Sequence, residues 1–135
     1  MQKFVKLRFI YPLIWYALIL YALLTPSNKL PDIKLFVHFD KLVHFSIFFV
    51  FAVLLSAAFL KNKQYNRSYL FAGIVAFING IVFELLQKYT TTTRSGSFDD
   101  AIANTLGVLF GLLFYHFVIR DKYLERIFFR IDKQK

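Results

Sequence analysis

Asp40 and His44 stand four residues apart, Glu84 and Gln87 three, and Asp100 and Asn104 four, with Lys41 beside the first pair and Arg94 ahead of the last. Spacings of three and four put both members of a pair on one face of a helix. Together they supply carboxylates, an imidazole, a guanidinium and two amides, a set suited to recognising a polar headgroup and, where a reaction follows, to general acid–base chemistry. In the catalytic reading His44, held by Asp40, is the base, Glu84 or Asp100 is the acid or a metal ligand, and Arg94 clamps an anion. Lys41 and Lys88 add point charge, and Gln87 and Asn104 orient hydroxyls or amides. One histidine among carboxylates has no standard zinc spacing, and neither a Ser-His-Asp set nor a Gly-rich phosphate loop is recognisable. Metal and cofactor are therefore unassigned by the sequence.

The elements that must carry these groups are apolar. Hydrophobic residues make up 58% of the 135, against roughly 45–50% in a soluble domain. Four long apolar runs cover residues 9–24, 42–60, 68–87 and 101–119. Each is near the roughly 17–25 residues that a helix needs to cross the hydrocarbon core, whereas a barrel would show alternating runs of about ten. The expected fold is an all-α membrane protein, with four transmembrane helices and short loops over residues 1–119 and a basic amphipathic helix at the interface over 120–135. In that tail Tyr123, Leu124, Ile127, Phe128 and Ile131 recur at helical spacing among Arg and Lys. A cleaved signal peptide competes for the first run, but Leu23-Leu24-Thr25-Pro26 offers no small-x-small cleavage site, and retention is the reading adopted. The absence of cysteine excludes disulfides, thiolate zinc sites and thiol nucleophiles.

The net charge of +9 is a matter of orientation. Of the 17 Lys and Arg, 12 lie in the N-terminus, the second connection and the C-terminal tail, so that side is expected to be cytoplasmic, with the chain multi-pass in the cell membrane and both termini inside. Charges that flank spans and meet anionic headgroups need no nucleic acid, and none is expected as a partner.

His44, Glu84 and Asn104 each lie four residues from a boundary residue, Asp40, Lys88 and Asp100, which places all three about 6 Å below the outer ends of their spans. Below Glu84 run Gly80, Ala76 and Ala72; below Asn104 run Gly107 and Gly111, a G-x-x-x-G. Small residues let helix backbones approach where lipid supplies no hydrophobic drive between them, so the stripes of the third and fourth spans are expected to face each other. Glu84 and Gln87 would then meet Asp100 and Asn104, with Asp40 and His44 closing the group. Ordinary alternatives exist for most of these signals. The glycine ridge could serve a homodimer, Asn79 could bond a neighbouring helix, and Asp40, Asp99 or Asp100 could each be a helix cap. Arg94 could bridge Asp100, and His38 and His116 read as interfacial. Glu84 is harder to dismiss, because a carboxylate below the interface must be paired, neutralised or wet.

Taken together, Asp40-Lys41-x-x-His44-Phe45, Glu84-x-x-Gln87 and Arg94 with Ser97, Asp100, Asn104, Gly107 and Gly111 resemble the VanZ-like family of small membrane proteins. The resemblance runs from Asp40 to Gly111. It implies a small helical membrane unit, in a family named for a protein associated with resistance to the glycopeptide teicoplanin, and it implies no particular reaction. Many relatives carry an acidic residue where Ser97 stands.

Two functions follow as expectations. One is binding or modification of a lipid or lipid-linked cell-envelope precursor at the outer leaflet, with a link to glycopeptide tolerance. The other is a structural or accessory module whose polar cluster only pins helices while its surface docks a partner enzyme. A transporter is third, since four spans are few unless a dimer builds the pathway.

Overall fold

A computed structural model describes residues 8–25, 37–59, 65–90 and 97–120. These are helical: α1 (Ile10–Leu24), α2 (Phe39–Phe59), α3 (Tyr65–Thr90) and α4 (Phe98–Phe114), the last widening into a π-helical turn at Tyr115–Ile119. No strand occurs among the described residues. Arg94 and the tail beyond Arg120 lie outside them, so the expected interfacial helix does too.

Local sequence sets the helix ends. Pro12 falls in the first turn of α1, where its missing N–H leaves no hydrogen bond unmade. The helix stops at Thr25, whose backbone turns extended ahead of Pro26, as a residue before proline prefers. At the start of α4, Ser97 Oγ accepts from the Asp100 N–H at 3.1 Å and Asp99 and Asp100 occupy the first turn, satisfying a terminal donor and opposing the helix dipole. Within the helices Ser46, Ser56, Asn79 and Thr105 each donate to the carbonyl four residues back. Asn79 thus bonds its own helix and does not reach a neighbouring one.

Three helices are long and apolar enough to cross a membrane: Phe39–Phe59, Tyr69–Thr90 and Phe98–Ile119. The expectation of four is met for three. At 15 residues α1 would extend only about 22 Å, short of a hydrocarbon core of about 30 Å. Half or fewer of the residues in each long helix are buried, and the outward faces carry Leu70, Ile74, Ile81, Leu109, Phe110 and Phe117. Such a surface is suited to lipid as its solvent.

Successive helices alternate in direction, so α2 and α4 run parallel, and they form the most intimate pair. Lys41 meets Asp100 and His44 meets Asn104. Further down, Gly107 lies on the Phe45 carbonyl and Gly111 on the Phe49 carbonyl and Ala52. This corrects the expected partner of the G-x-x-x-G, since the ridge packs on the second span. The ridge is thus used for packing within the chain. Gly80 of α3 does face α4, where a Cβ would sit 3.3 Å from that of Asn104. The remaining core is aromatic: Phe48, Phe51 and Phe83 are buried, with Phe48 and Phe83 edge to face at 6.2 Å and Tyr16 of α1 5.6 Å from Phe83. Trp15 Nε1 donates to the Ile47 carbonyl at 3.0 Å and ties α1 to α2.

Because backbone, not a flexible side chain, meets the added carbon at Gly107 and within 2.5 Å at Gly111, Gly111→Ala and Gly107→Ala should each destabilise the protein by about 1–3 kcal/mol. Thermal unfolding in detergent checks this; a melting temperature equal to wild type for both variants would contradict the α2–α4 contact.

Candidate functional site

One end of the bundle gathers the starts of α2 and α4 and the ends of α1 and α3, and the polar residues expected to act together lie there. Glu84 reaches from α3, His44 from α2 and Asn104 from α4; all three are buried, at 8%, 6% and 1% exposure. Asn104 joins the other two. Its Nδ2 donates to Glu84 Oε1 at 2.8 Å, and its Oδ1 lies 3.0 Å from His44 Nδ1. His44 Nδ1 is also 3.3 Å from Glu84 Oε1. With oxygens as its two neighbours, Nδ1 is suited to be the protonated ring nitrogen, donating a hydrogen bond that the amide oxygen accepts. Both contacts of the ring use Nδ1, so Nε2 points away from them.

Glu84 Oε2 is buried and has no hydrogen-bond partner. A buried polar atom is ordinarily paired, and leaving one unpaired costs about 1–3 kcal/mol, more when charged. The carboxylate is thus held by one oxygen and offers the other.

Above this trio is a second layer. Lys41 Nζ bridges Asp100 Oδ1 at 3.0 Å and Asp40 Oδ2 at 3.2 Å, while Ser97 Oγ donates to Asp100 Oδ2 at 2.7 Å. The expected support of His44 by Asp40 does not form: Asp40 is largely exposed, its side chain at 61%, and turns to Lys41. Its place beside the imidazole is taken by Asn104 and Glu84. Asp100, read as an acid beside Glu84, is instead committed to Lys41 and Ser97, so Lys41 serves where Arg94 was considered as the bridging cation.

Gln87 is buried but does not face Asp100 or Asn104. Its Nε2 donates at 2.7 Å to the Leu23 carbonyl, one of the last four of α1 that lack a helical donor. The structure therefore brings together His44, Glu84 and Asn104 in one cluster and Asp40, Lys41 and Asp100 in another, and sets Gln87 apart as the link to α1. Among the described residues no three of His, Cys, Asp and Glu converge as metal ligands would. His116, at the far end, is exposed and lies 3.1 Å from Arg120 Nη1, while exposed His38 holds a positive φ of 68° just before α2. Sequence reasoning missed Ser97 as the cap of α4 and Phe45 and Phe49 as seats of the glycines; their i,i+4 spacing, matching that of Gly107 and Gly111, was the available signal.

Apolar helices of spanning length, closing around a charged and amide-bearing cluster at one end, define a small helical membrane protein with an internal polar site. A family model agrees over most of the chain: residues 7–120 match VanZ/LLP1, and the protein belongs to that family. Neither the curated proteins nor the solved structures contain a match.

Since Asn104 satisfies two ionisable groups at once, Asn104→Leu should cost about 2–4 kcal/mol, far more than Thr105→Ala one position on, whose exposed hydroxyl bonds only its own helix. Comparative thermal denaturation of the two variants tests the difference, and equal melting temperatures would contradict the bridging role.

Proposed function

We propose that this protein is a multi-pass component of the cell membrane that binds or modifies a lipid or lipid-linked envelope precursor through the cluster of His44, Glu84 and Asn104. In this reading α1 joins the three longer helices as a fourth crossing, residues 1–119 form the membrane unit, and residues 120–135 anchor on anionic headgroups from the cytoplasmic side. The distribution of 12 of 17 basic residues supports cytoplasmic termini and hence an outer-leaflet position for the polar end. The fork of Arg94 and the point charge of Lys88 would favour anionic groups of the ligand, with Asp40, Lys41 and Asp100 at the same end as the cluster. Family membership supports a contribution to tolerance of teicoplanin-type glycopeptides, through a change in the envelope component that the protein handles.

The observation that carries this reading is the unpartnered Oε2 of Glu84. A polar group used only for packing would be expected to have all its bonds made within the protein. If chemistry occurs, His44 and Glu84 are the acid–base pair, with Asn104 positioning both.

A second reading has its own support. His44, Asn104 and Glu84 are linked to one another across three helices, so the cluster also suits a pin that fixes the bundle while another surface docks a partner enzyme.

Envelope lipid analysis separates the two. A deletion strain and a strain carrying Glu84→Gln at wild-type protein level should show the same altered lipid or precursor profile and the same loss of glycopeptide tolerance. An unchanged envelope in both strains would remove the amphiphile reading, and a normal profile in the Glu84→Gln strain alone would favour the pin.

A further inference from the structure

Ser46, Ser56, Asn79 and Thr105 all donate to the carbonyl one turn back, but they are left in different states by doing so. A hydroxyl that donates has used its one proton, whereas an amide carries two donors and a carbonyl. The Val75 carbonyl only accepts, so the group 2.8 Å from it is the Asn79 NH2, which keeps a second N–H and leaves Oδ1 uncommitted. That oxygen has no hydrogen-bond partner among the described residues and is not buried within the fold.

Depth makes this costly. Asn79 is the eleventh of the 22 residues of Tyr69–Thr90, about 15 Å from either end of the crossing at 1.5 Å per residue. Hydrocarbon at that level offers neither donor nor acceptor, and an unpaired amide is strongly disfavoured there.

The residues around Asn79 form a seam. Val75, Asn79, Val82 and Leu86 recur at spacings of four, three and four, the repeat by which parallel helices pack side by side. Val75, Asn79 and Leu86 are half-buried and Val82 is 41% exposed, and no charged residue falls among them. One polar position in such an apolar seam fixes register and partner. The partner must bring both a donor and an acceptor to the middle of the bilayer. A second copy does so without further requirement. Inserted in the same orientation and related by a two-fold axis along the membrane normal, it places its own Asn79 at the same depth, and the free N–H of each amide meets the Oδ1 of the other. Any other helix would need a polar residue matched to that depth.

We infer that two copies of this chain pair through parallel α3 helices, Asn79 against Asn79, with Val75, Val82 and Leu86 lining the contact. The inference rests on α3 crossing the membrane and is independent of what the polar end binds. Both polar ends of the pair then lie on the same side.

The chain has no cysteine, so oxidative cross-linking of single-cysteine variants of the full chain, in membranes of the expressing cells, maps the contact directly. Val82→Cys and Leu86→Cys should give a covalent dimer, whereas Ile74→Cys, Phe77→Cys and Ile81→Cys, exposed on another face of α3, should not. Energy transfer between labelled copies diluted in phosphatidylcholine vesicles gives the dissociation constant, which Asn79→Val should raise by about three- to thirtyfold, the range for interhelical side-chain hydrogen bonds in a bilayer. Val82→Cys leaves Asn79 in place, so the cross-linking pattern decides even where Asn79→Val inserts poorly. Equal cross-linking on both faces, cross-links only to a different protein, a monomer at every dilution, or an unchanged dissociation constant for folded Asn79→Val would each overturn the inference.

Discussion

The amide of Asn104 is the joint on which the polar end of this protein depends. A glutamate and a histidine brought from different helices into an apolar bundle each require a partner that neither helix can supply, because helical backbone groups are already engaged. An amide can donate and accept at once, and here it donates to Glu84 and sits as acceptor beside His44. Replacing it with an apolar side chain would leave both ionisable groups to face each other alone. Its reach, however, is short. An asparagine side chain spans two helices only if their backbones come closer than ordinary packing allows, and Gly107 and Gly111, one and two turns below, hold α4 against the carbonyls of Phe45 and Phe49. Gly80 performs the same service on the α3 side, where the Asn104 side chain rests on it. The glycines and the polar trio are thus one device: small residues set the distance, and the amide uses it.

Much of this was legible because helical geometry is strict. Residues four apart from charged boundary positions had to share a depth, and the structure places His44, Glu84 and Asn104 in mutual contact as that register requires. What the register could not supply was the identity of neighbours. A G-x-x-x-G states that some backbone approaches closely, without saying whose, and the ridge was assigned to α3 when it belongs to α2. Parallel packing of non-consecutive helices has no local signature. Asp40 failed for a different reason: at the first turn of α2 a carboxylate has free access to the interface and to Lys41, and nothing drives it down toward the imidazole. Gln87 was drawn away by the unsatisfied Leu23 carbonyl of α1, a partner visible only once α1 is docked. In α1 the apolar run of residues 9–24 and the helix end together at Leu24, where Thr25 turns extended ahead of Pro26.

The two polar layers perform different work. Lys41, Asp40, Asp100 and Ser97 form a clasp at the rim, in which a lysine bonds carboxylates from two helices and a serine both caps α4 and fixes Asp100. Exposed ion pairs contribute little, and Asp40 at 61% exposure adds little of its own. The Lys41–Asp100 pair is better shielded, with side-chain exposures of 27% and 11%, and it joins the starts of the parallel helices that the glycines bring together below. This clasp orders the mouth of the bundle. Lys41 is thereby engaged at the rim, and the contacts of Glu84 in the inner layer are with Asn104 and His44.

In the proposed reading, the unpartnered oxygen of Glu84 is what separates a site from a pin. A buried polar network that exists only to fix helices gains by being complete, since each unmade bond subtracts from the stability it provides and a half-satisfied network is worse than an apolar one. An asparagine pair or a serine could have joined α2, α3 and α4 without bringing a charge below the rim. Instead the bundle carries a glutamate with one oxygen secured and the other buried without a partner, beside an imidazole whose second nitrogen is turned away from the network. The secured oxygen accounts for the helix contacts. The other accounts for none of them, and that unmet acceptor is the feature on which the proposed reading as a site stands.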